Sequence, residues 1–235
     1  MTFTPATDPP PEPDAHRHER FLGITLVVGL VAAAIVLVLL TWLAREMLEG
    51  ETLRFDAAVR NAVHSFASTG MTRSMRSITF IGGPIVLGPL AGVLAVVFFL
   101  IGWRRPAVLL PLALLGAGLV DTVLKLEFGR ARPAPFFDYP LPSSYSFPSG
   151  HALFAFCFFA VLAALVSPRV KRRATRIAIW TAAVICILLV SVSRVYLGVH
   201  YPSDVVAGWG AGFVWVMVVA FGDRVAHRMK ARHVQ

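Results

Sequence analysis

The sequence predicts an all-α polytopic membrane protein, a bundle of six transmembrane helices with an amphipathic segment at the membrane interface. Of its 235 residues, 57% are hydrophobic and only 15% are charged, and the mean hydropathy is +0.70. A soluble domain usually has about 25% charged residues and could not bury so much apolar surface. The apolar residues also form runs of about 20, the length that a spanning helix needs.

Six apolar runs justify the six helices. The second run carries glycine and proline at 82–84, where a kink or a close helix contact is expected. The connection 126–147, between the third and fourth runs, is rich in proline and aromatic residues and is predicted to be an ordered loop. The six predicted spans are 21–43, 77–103, 107–124, 150–166, 177–193 and 205–222.

The segment 44–76 joins the first two spans and is mixed in charge. Within it Phe55, Val59, Val63 and Phe66 recur at helical spacing, which predicts an amphipathic helix lying in the membrane interface. Residues 1–20 have no apolar core, so we expect a disordered tail before a membrane domain over 21–222. Residues 223–235 form a basic tail.

Basic residues predict the orientation of the six spans. The net charge is +9, but the cations separate the apolar runs and do not form one stripe, which favours a membrane surface over nucleic acid as the partner. The positive-inside rule then puts both termini in the cytoplasm. The side with the termini carries 13 of the 22 Lys and Arg: Arg17, Arg20, Arg104, Arg105, Arg169, Lys171, Arg172, Arg173, Arg176, Arg224, Arg228, Lys230 and Arg232.

Three cations lie at the ends of spans that this orientation brings to the outer face. They are Lys125, Arg132 and Arg194. A phosphoryl group in transfer spreads negative charge over its oxygens, and fixed cations stabilise that charge. The arginine fork also matches phosphate oxygens. Each cation could instead be a snorkelling residue at a helix end, but each stands in or beside a motif that predicts the same site.

Ser149, Gly150 and His151 stand directly before the fourth apolar run. Free backbone N–H groups at a helix N-terminus point at anions. Ser149 can cap the helix and donate to a phosphate, and Gly150 allows close approach of the backbone. A plain helix cap would explain the first two residues, but it would not explain an ionisable histidine at the membrane edge.

His200 and Asp204 form the last predicted pair. A carboxylate bonded to one ring nitrogen fixes the tautomer and raises the basicity of the other nitrogen. That nitrogen could attack phosphorus and form a phosphohistidine, while His151 first protonates the leaving oxygen and then activates water. The same spacing would suit a metal pair, but further carboxylates are missing and nearby cations would repel a divalent ion.

These residues resemble the three signatures of the type 2 phosphatidic acid phosphatase family. A lysine at 125 is followed after six residues by Arg132–Pro133, then comes Pro148–Ser149–Gly150–His151, then Ser193–Arg194 with His200 and Asp204 at the family spacing. The resemblance covers about residues 76–222. It implies a six-helix membrane bundle with its site at the outer interface and no metal or other cofactor.

The resemblance implies the same roles as the residues themselves. By this resemblance His200 would be the nucleophile, Asp204 would orient it, and His151 would be the general acid and base. The phosphate ligands are Lys125, Arg132, Ser149, Gly150 and Arg194.

The expected substrate is a membrane lipid, reached at the outer face of the cytoplasmic membrane (periplasmic or extracytoplasmic), with no nucleic acid or obligate protein partner. Among the lipids that the resemblance implies, undecaprenyl diphosphate is the first candidate substrate, and phosphatidylglycerophosphate, phosphatidate and lipid A phosphates are its rivals. A phosphotransferase would use the same residues. An anionic-lipid transporter would need neither histidine, and it would be expected to show repeat symmetry, which the sequence lacks.

Overall fold

The structure, a computed structural model, describes the backbone of residues 13–232 and the side chains of residues 27–226 and 229. This part of the chain contains eight α-helices, one short 3-10 helix at Ser167–Arg169, and no strand. The helices are α1 (Pro13–Leu48), α2 (Leu53–His64), α3 (Thr69–Ile81), α4 (Pro84–Leu100), α5 (Arg104–Phe128), α6 (Gly150–Val166), α7 (Arg173–Tyr196) and α8 (Pro202–Arg232).

The six-span bundle is confirmed. Five helices are long and apolar enough to cross a membrane, and α3 and α4, which meet at a bend of 46°, give the sixth when the pair is counted as one span. The bend falls at Gly82 and Gly83, within the predicted kink. A Cβ atom at Gly82 would lie 2.1 Å from the side chain of Val190, so the missing side chain lets α7 pack against the bend.

Helix α6 lies at the centre of the bundle and contacts α4, α5, α7 and α8. Small residues allow this close packing: Ala113, Ala117 and Ala155 are fully buried, while Trp215 of α8 covers Gly116 of α5. The outer faces remain apolar and exposed, with Ile85 at 82% exposure. Such a surface suits contact with lipid chains, as the composition predicts.

The segment between the first two spans contains two helices, α2 and the beginning of α3. The predicted interfacial helix corresponds to α2, although Phe66 lies just beyond its end. Phe55 and Phe66 are 60% and 75% exposed, whereas Asp56 is fully buried. Helix α2 therefore turns Phe55 outward and the charged Asp56 toward the protein.

The predicted tails differ from the helix limits. Residues 1–12 of the tail expected over 1–20 lie outside the described residues, and α1 begins at Pro13, inside that range. Helix α8 continues through the first part of the predicted basic tail, to Arg232.

Candidate active site

The three sequence motifs meet at one end of the bundle, where α5 and α7 end and α6 and α8 begin. Lys125 and Arg194 lie in the last turns of α5 and α7, where their charges complement the negative ends of the helix dipoles. Gly150 and Asp204 lie in the first turns of α6 and α8. The Ser149 N–H donates to the Asp204 carbonyl at 2.9 Å, which joins the two helix starts.

His200 lies between a carboxylate and an arginine. Its Nδ1 is 3.3 Å from Asp204 Oδ2, and its Nε2 is 2.9 Å from Arg132 Nη1. Arginine can only donate, so Nε2 accepts and the ring proton is assigned to Nδ1, facing Asp204. Burial lowers the pKa of His200 to about 4, against the opposing effect of Asp204. The imidazole is therefore neutral near pH 7, with the Nε2 lone pair toward Arg132.

Asp204 is fully buried, and each of its two oxygens has its own partners. Oδ1 accepts from Arg130 Nη1 at 2.6 Å. Oδ2 accepts from the Ser146 hydroxyl and from the Tyr201 N–H, at 2.9 Å for the latter, and faces His200. Arg130 also lies 4.0 Å above the Tyr201 ring. The carboxylate is thus held from several sides with one oxygen toward the imidazole.

Arg130 and Asp56 are not among the site residues that the sequence motifs predict. Arg130 lies within the first motif and bridges Asp204 to Asp56, whose Oδ2 is 2.8 Å from Arg130 Nη2. One signal was available. Asp56, Arg60 and His64 follow one another at intervals of four residues, so they share a face of α2.

The three predicted cations are anchored by different partners. Arg194 is 1% exposed and its Nη1 donates to Thr79 Oγ1 at 2.6 Å, while its buried Nε has no hydrogen-bond partner among the described residues. Arg132 donates to the carbonyls of Ser144, Tyr145 and Val199. Both guanidinium groups are therefore held rigidly.

Lys125 forms an ion pair with Asp121, which lies one turn earlier in α5. Its Nζ lies 2.8 and 2.6 Å from the two carboxylate oxygens. Gly150 lies against this pair, since a Cβ atom there would be 2.9 Å from Asp121 Oδ1 and 3.1 Å from Lys125 Nζ. The absence of a side chain at 150 therefore leaves room for the ammonium group beside the start of α6.

Ser149 departs from one expectation. It stands at the N-cap position of α6, with the extended backbone usual for a cap, but its side chain makes no capping bond. Oγ is buried and has no hydrogen-bond partner in the described part of the chain. The capping role is therefore wrong, whereas the hydroxyl remains available to a ligand.

His151 lies in the first turn of α6, and the space between its ring, His200 and the three cations is the pocket of the site. The charged and titratable groups that act on its ring are Arg194, His200, Lys125 and Arg132. A Cβ atom on Gly83 would lie 2.9 Å from His151 Nε2, so the α3–α4 bend makes room for the imidazole. The structure therefore brings all eight predicted residues to one site.

The pocket has the groups that phosphoryl transfer needs. It combines a neutral imidazole, three cations, a second histidine and two buried polar atoms that have no hydrogen-bond partner among the described residues. Buried donors of this kind cost free energy unless a ligand satisfies them. Within the described residues, no three His, Cys, Asp or Glu side chains are grouped as a metal site.

Known proteins are similar to this chain in both sequence and fold. Phosphatidylglycerophosphatase B of Bacillus subtilis is 29% identical over 178 residues, covering 75% of this chain and 87% of that protein. An undecaprenyl-diphosphatase of Sulfolobus acidocaldarius is 37% identical over 114 residues, covering 46% of this chain and 51% of its own. The chain thus spans about half the length of the archaeal relative.

A solved structure covers most of the bundle. The crystal structure of a transmembrane PAP2 type phosphatidylglycerolphosphate phosphatase from Bacillus subtilis matches with a TM-score of 0.74 and 27% identity, covering 82% of this chain and 96% of that one. The family model described as PAP2 superfamily matches residues 106–224, which include every residue of the predicted site. On both grounds, this membrane protein is a member of the PAP2 superfamily of phosphatases.

Proposed function

We propose that the chain is an integral membrane phosphatase that hydrolyses a lipid phosphate or diphosphate through a phosphohistidine at His200, without a metal ion. One observation carries the proposal: the neutral His200 ring is held between Asp204 and Arg132, with its Nε2 lone pair directed into a pocket of cations. Two buried polar atoms, Ser149 Oγ and Arg194 Nε, have no hydrogen-bond partner in the described residues, and phosphate oxygens would satisfy both.

The reaction follows from this geometry in two steps. Nε2 of His200 attacks phosphorus, a P–N bond forms, and the P–O bond to the leaving group breaks while His151 protonates the departing oxygen. The ring gains positive charge, which the Asp204 carboxylate stabilises through Nδ1–H. His151 then takes a proton from water, the resulting hydroxide attacks phosphorus, and the P–N electrons return to Nε2.

Charge in the pocket suits one phosphoryl group at a time. The Lys125 charge is already paired with Asp121, so Arg132 and Arg194 supply two further positive charges. A phosphate monoester carries about −1.5 to −2 charges near pH 7. The arginines therefore balance the group being transferred, and stabilise the negative charge that its equatorial oxygens carry in the transition state.

An apolar groove beside the pocket supports a lipid substrate. Its volume is about 440 Å³, and it lies between α1, α5 and α8. Its walls include Phe147 and Pro148, which lead directly into Ser149, and Leu124, which precedes Lys125. Along α1 it extends from Leu37 to Leu48, about 16 Å at the helical rise. A hydrocarbon tail lying there would place its headgroup beside the phosphate ligands.

The natural lipid is the finer part of the proposal. Undecaprenyl diphosphate, cut to the monophosphate, is the first candidate, in keeping with the archaeal relative. Phosphatidylglycerophosphate is the second, because the relative and the solved structure that cover most of the chain bear that activity in their names. Phosphatidate and lipid A phosphates remain rivals.

The side of the membrane is also a proposal. The excess of cations at the other end of the bundle supports a pocket on the extracytoplasmic face of the cytoplasmic membrane with both termini inside. A cysteine at exposed Ser143, in the loop above the pocket, tests it in whole cells. Reaction with a membrane-impermeant maleimide is expected, and protection until lysis would reverse the orientation.

Phosphate release from purified protein tests the activity. Wild type and His200→Ala are compared in detergent with EDTA on undecaprenyl diphosphate, phosphatidylglycerophosphate and phosphatidate. Release by wild type alone, with an alkali-stable and acid-labile phosphoprotein trapped on quenching, is expected. Activity lost in EDTA and restored by a divalent ion would refute the metal-free scheme. Release that needs an added acceptor would indicate a phosphotransferase, and binding without any release a transporter.

A further inference from the structure

Helix α2 contacts the active site through its polar face, which consists of Asp56, Arg60 and His64. Asp56 is fully buried. Arg60 Nη2 donates to the carbonyls of Ala134 at 2.7 Å and Gly198 at 3.2 Å. His64 lies toward the same loops. Helix α2 is thus bonded to both loops that carry site residues, 129–149 and 197–201.

Asp56 is connected to Asp204 through two hydrogen-bonded residues, Arg130 and Ser203. Arg130 donates from Nη2 to Asp56 Oδ2 at 2.8 Å and from Nη1 to Asp204 Oδ1 at 2.6 Å. Asp56 also accepts both the N–H of Ser203 at 3.0 Å and its hydroxyl at 2.7 Å. Ser203 directly precedes Asp204 in the first turn of α8. Asp56 therefore holds both the arginine and the backbone that place the carboxylate.

We propose that Asp56 is a positioning residue for the reaction. It acts through Arg130 and Ser203 to keep the Asp204 carboxylate oriented toward His200. The inference rests on the proposed function. It assigns a catalytic consequence to α2, a helix outside all three sequence motifs. Asp56 lies outside the pocket, so its effect passes through the Asp204 carboxylate.

The two oxygens of Asp204 have different partners, and this explains why Asp56 matters for the orientation of the carboxylate. Oδ1 is bonded to Arg130, while Oδ2 faces His200 at 3.3 Å. The Arg130 fork is fixed because its second arm is bonded to Asp56. Without that carboxylate, both arms of the guanidinium can turn to Asp204 as a bidentate pair. Such a pair would engage Oδ2 as well and draw it from the Nδ1–H of His200.

The expected kinetic signature separates positioning from substrate binding. Asp56 does not contact the phosphate ligands, so Asp56→Asn should leave KM within about twofold. It should lower kcat about 10- to 100-fold, the equivalent of one charge-assisted hydrogen bond. Asp56→Glu should recover part of the loss, because the carboxylate is retained.

The experiment measures kcat and KM per folded molecule for Asp56→Asn, Asp204→Asn and the double variant. Asp223→Asn is the control, since it removes a carboxylate that is also bonded to an arginine, Arg105, but at the far end of α8; its side chain is 9% exposed, against 0% for Asp56. If Asp56 acts through Asp204, the double variant should be no slower than Asp204→Asn alone. The control should keep the wild-type kcat.

Each outcome has one meaning. A lower kcat for Asp56→Asn with non-additivity in the double variant supports the inference. A wild-type kcat, or a loss that multiplies with that of Asp204→Asn, overturns it and leaves the proposed function standing. If wild type releases no phosphate from any lipid, the proposed function fails and the inference fails with it.

Discussion

Replacing Asp204 by asparagine tests the centre of the proposed mechanism. The substitution keeps the shape of the side chain but removes its charge and turns one oxygen into an NH₂ donor. In the structure Oδ2 accepts from Nδ1 of His200, from Ser146 and from the Tyr201 N–H. If the amide oxygen takes that place, the NH₂ group faces Arg130; if the NH₂ group takes it, the imidazole must accept at Nδ1. Both arrangements disturb the site.

The Asp204→Asn substitution should lower both the rate of turnover and the stability of the fold. An imidazole that accepts at Nδ1 carries its proton on Nε2 and cannot attack, so kcat should fall by about 10² to 10⁴-fold, as when other orienting carboxylates are replaced. Breaking a buried ion pair costs about 3–5 kcal/mol. Arg130 retains Asp56 as a partner, so we expect the lower end, about 3 kcal/mol. For a chain of this size that corresponds to a Tm lower by about 6–12 °C.

The assay combines thermal unfolding with single-turnover phosphate release, corrected for the folded fraction. We expect a slow variant whose KM stays close to that of the wild type, because the phosphate ligands remain in place. A folded Asp204→Asn protein with the wild-type single-turnover rate would refute the assignment of Asp204 as the residue that orients His200.

Three further predictions concern the pocket and the groove. Burial lowers the pKa of His200 to about 4, so its NMR signal, identified by loss in His200→Ala, should titrate near pH 4 and not near 6.5; the fold should correspondingly lose stability as the pH falls from about 6.5 to 4. Gly150→Ala should displace Lys125 from the pocket and lower kcat/KM about 10-fold, with little change in Tm. Val218→Trp in the groove should raise KM for long-chain lipids but not for short water-soluble phosphate esters, while Leu115→Trp, on an exposed face outside the groove, should change neither.

The sequence predicted those features that depend on local chemistry. Runs of about 20 apolar residues are set by membrane thickness, so the six spans and the kink at 82–84 could be predicted. The motif residues stand at span ends, and helix parity brings those ends together. The ion pair between Asp121 and Lys125 has the four-residue spacing that places two side chains on one face of a helix.

Other features depend on contacts far apart in the chain. Asp56 and Ser203, which are hydrogen-bonded to each other, are separated by 147 positions, and no periodicity links them. Ser149 could be identified as an N-cap from its residue type, but the direction of its hydroxyl depends on dihedrals that the sequence does not fix. The second helix in the segment 44–76 was missed because α3 continues, through a bend, into an apolar span.

Helix α2 is amphipathic in the reverse sense from a helix on a soluble protein. Phe55 faces outward and the polar face is bonded to the protein, so hydrogen bonds set its register together with the packing of Val63 against the core. Substitutions among its outward residues, such as Phe55, should therefore be tolerated as long as they remain compatible with lipid. Divergent sequences would be aligned in this segment more reliably by the four-residue interval of Asp56, Arg60 and His64 than by hydropathy.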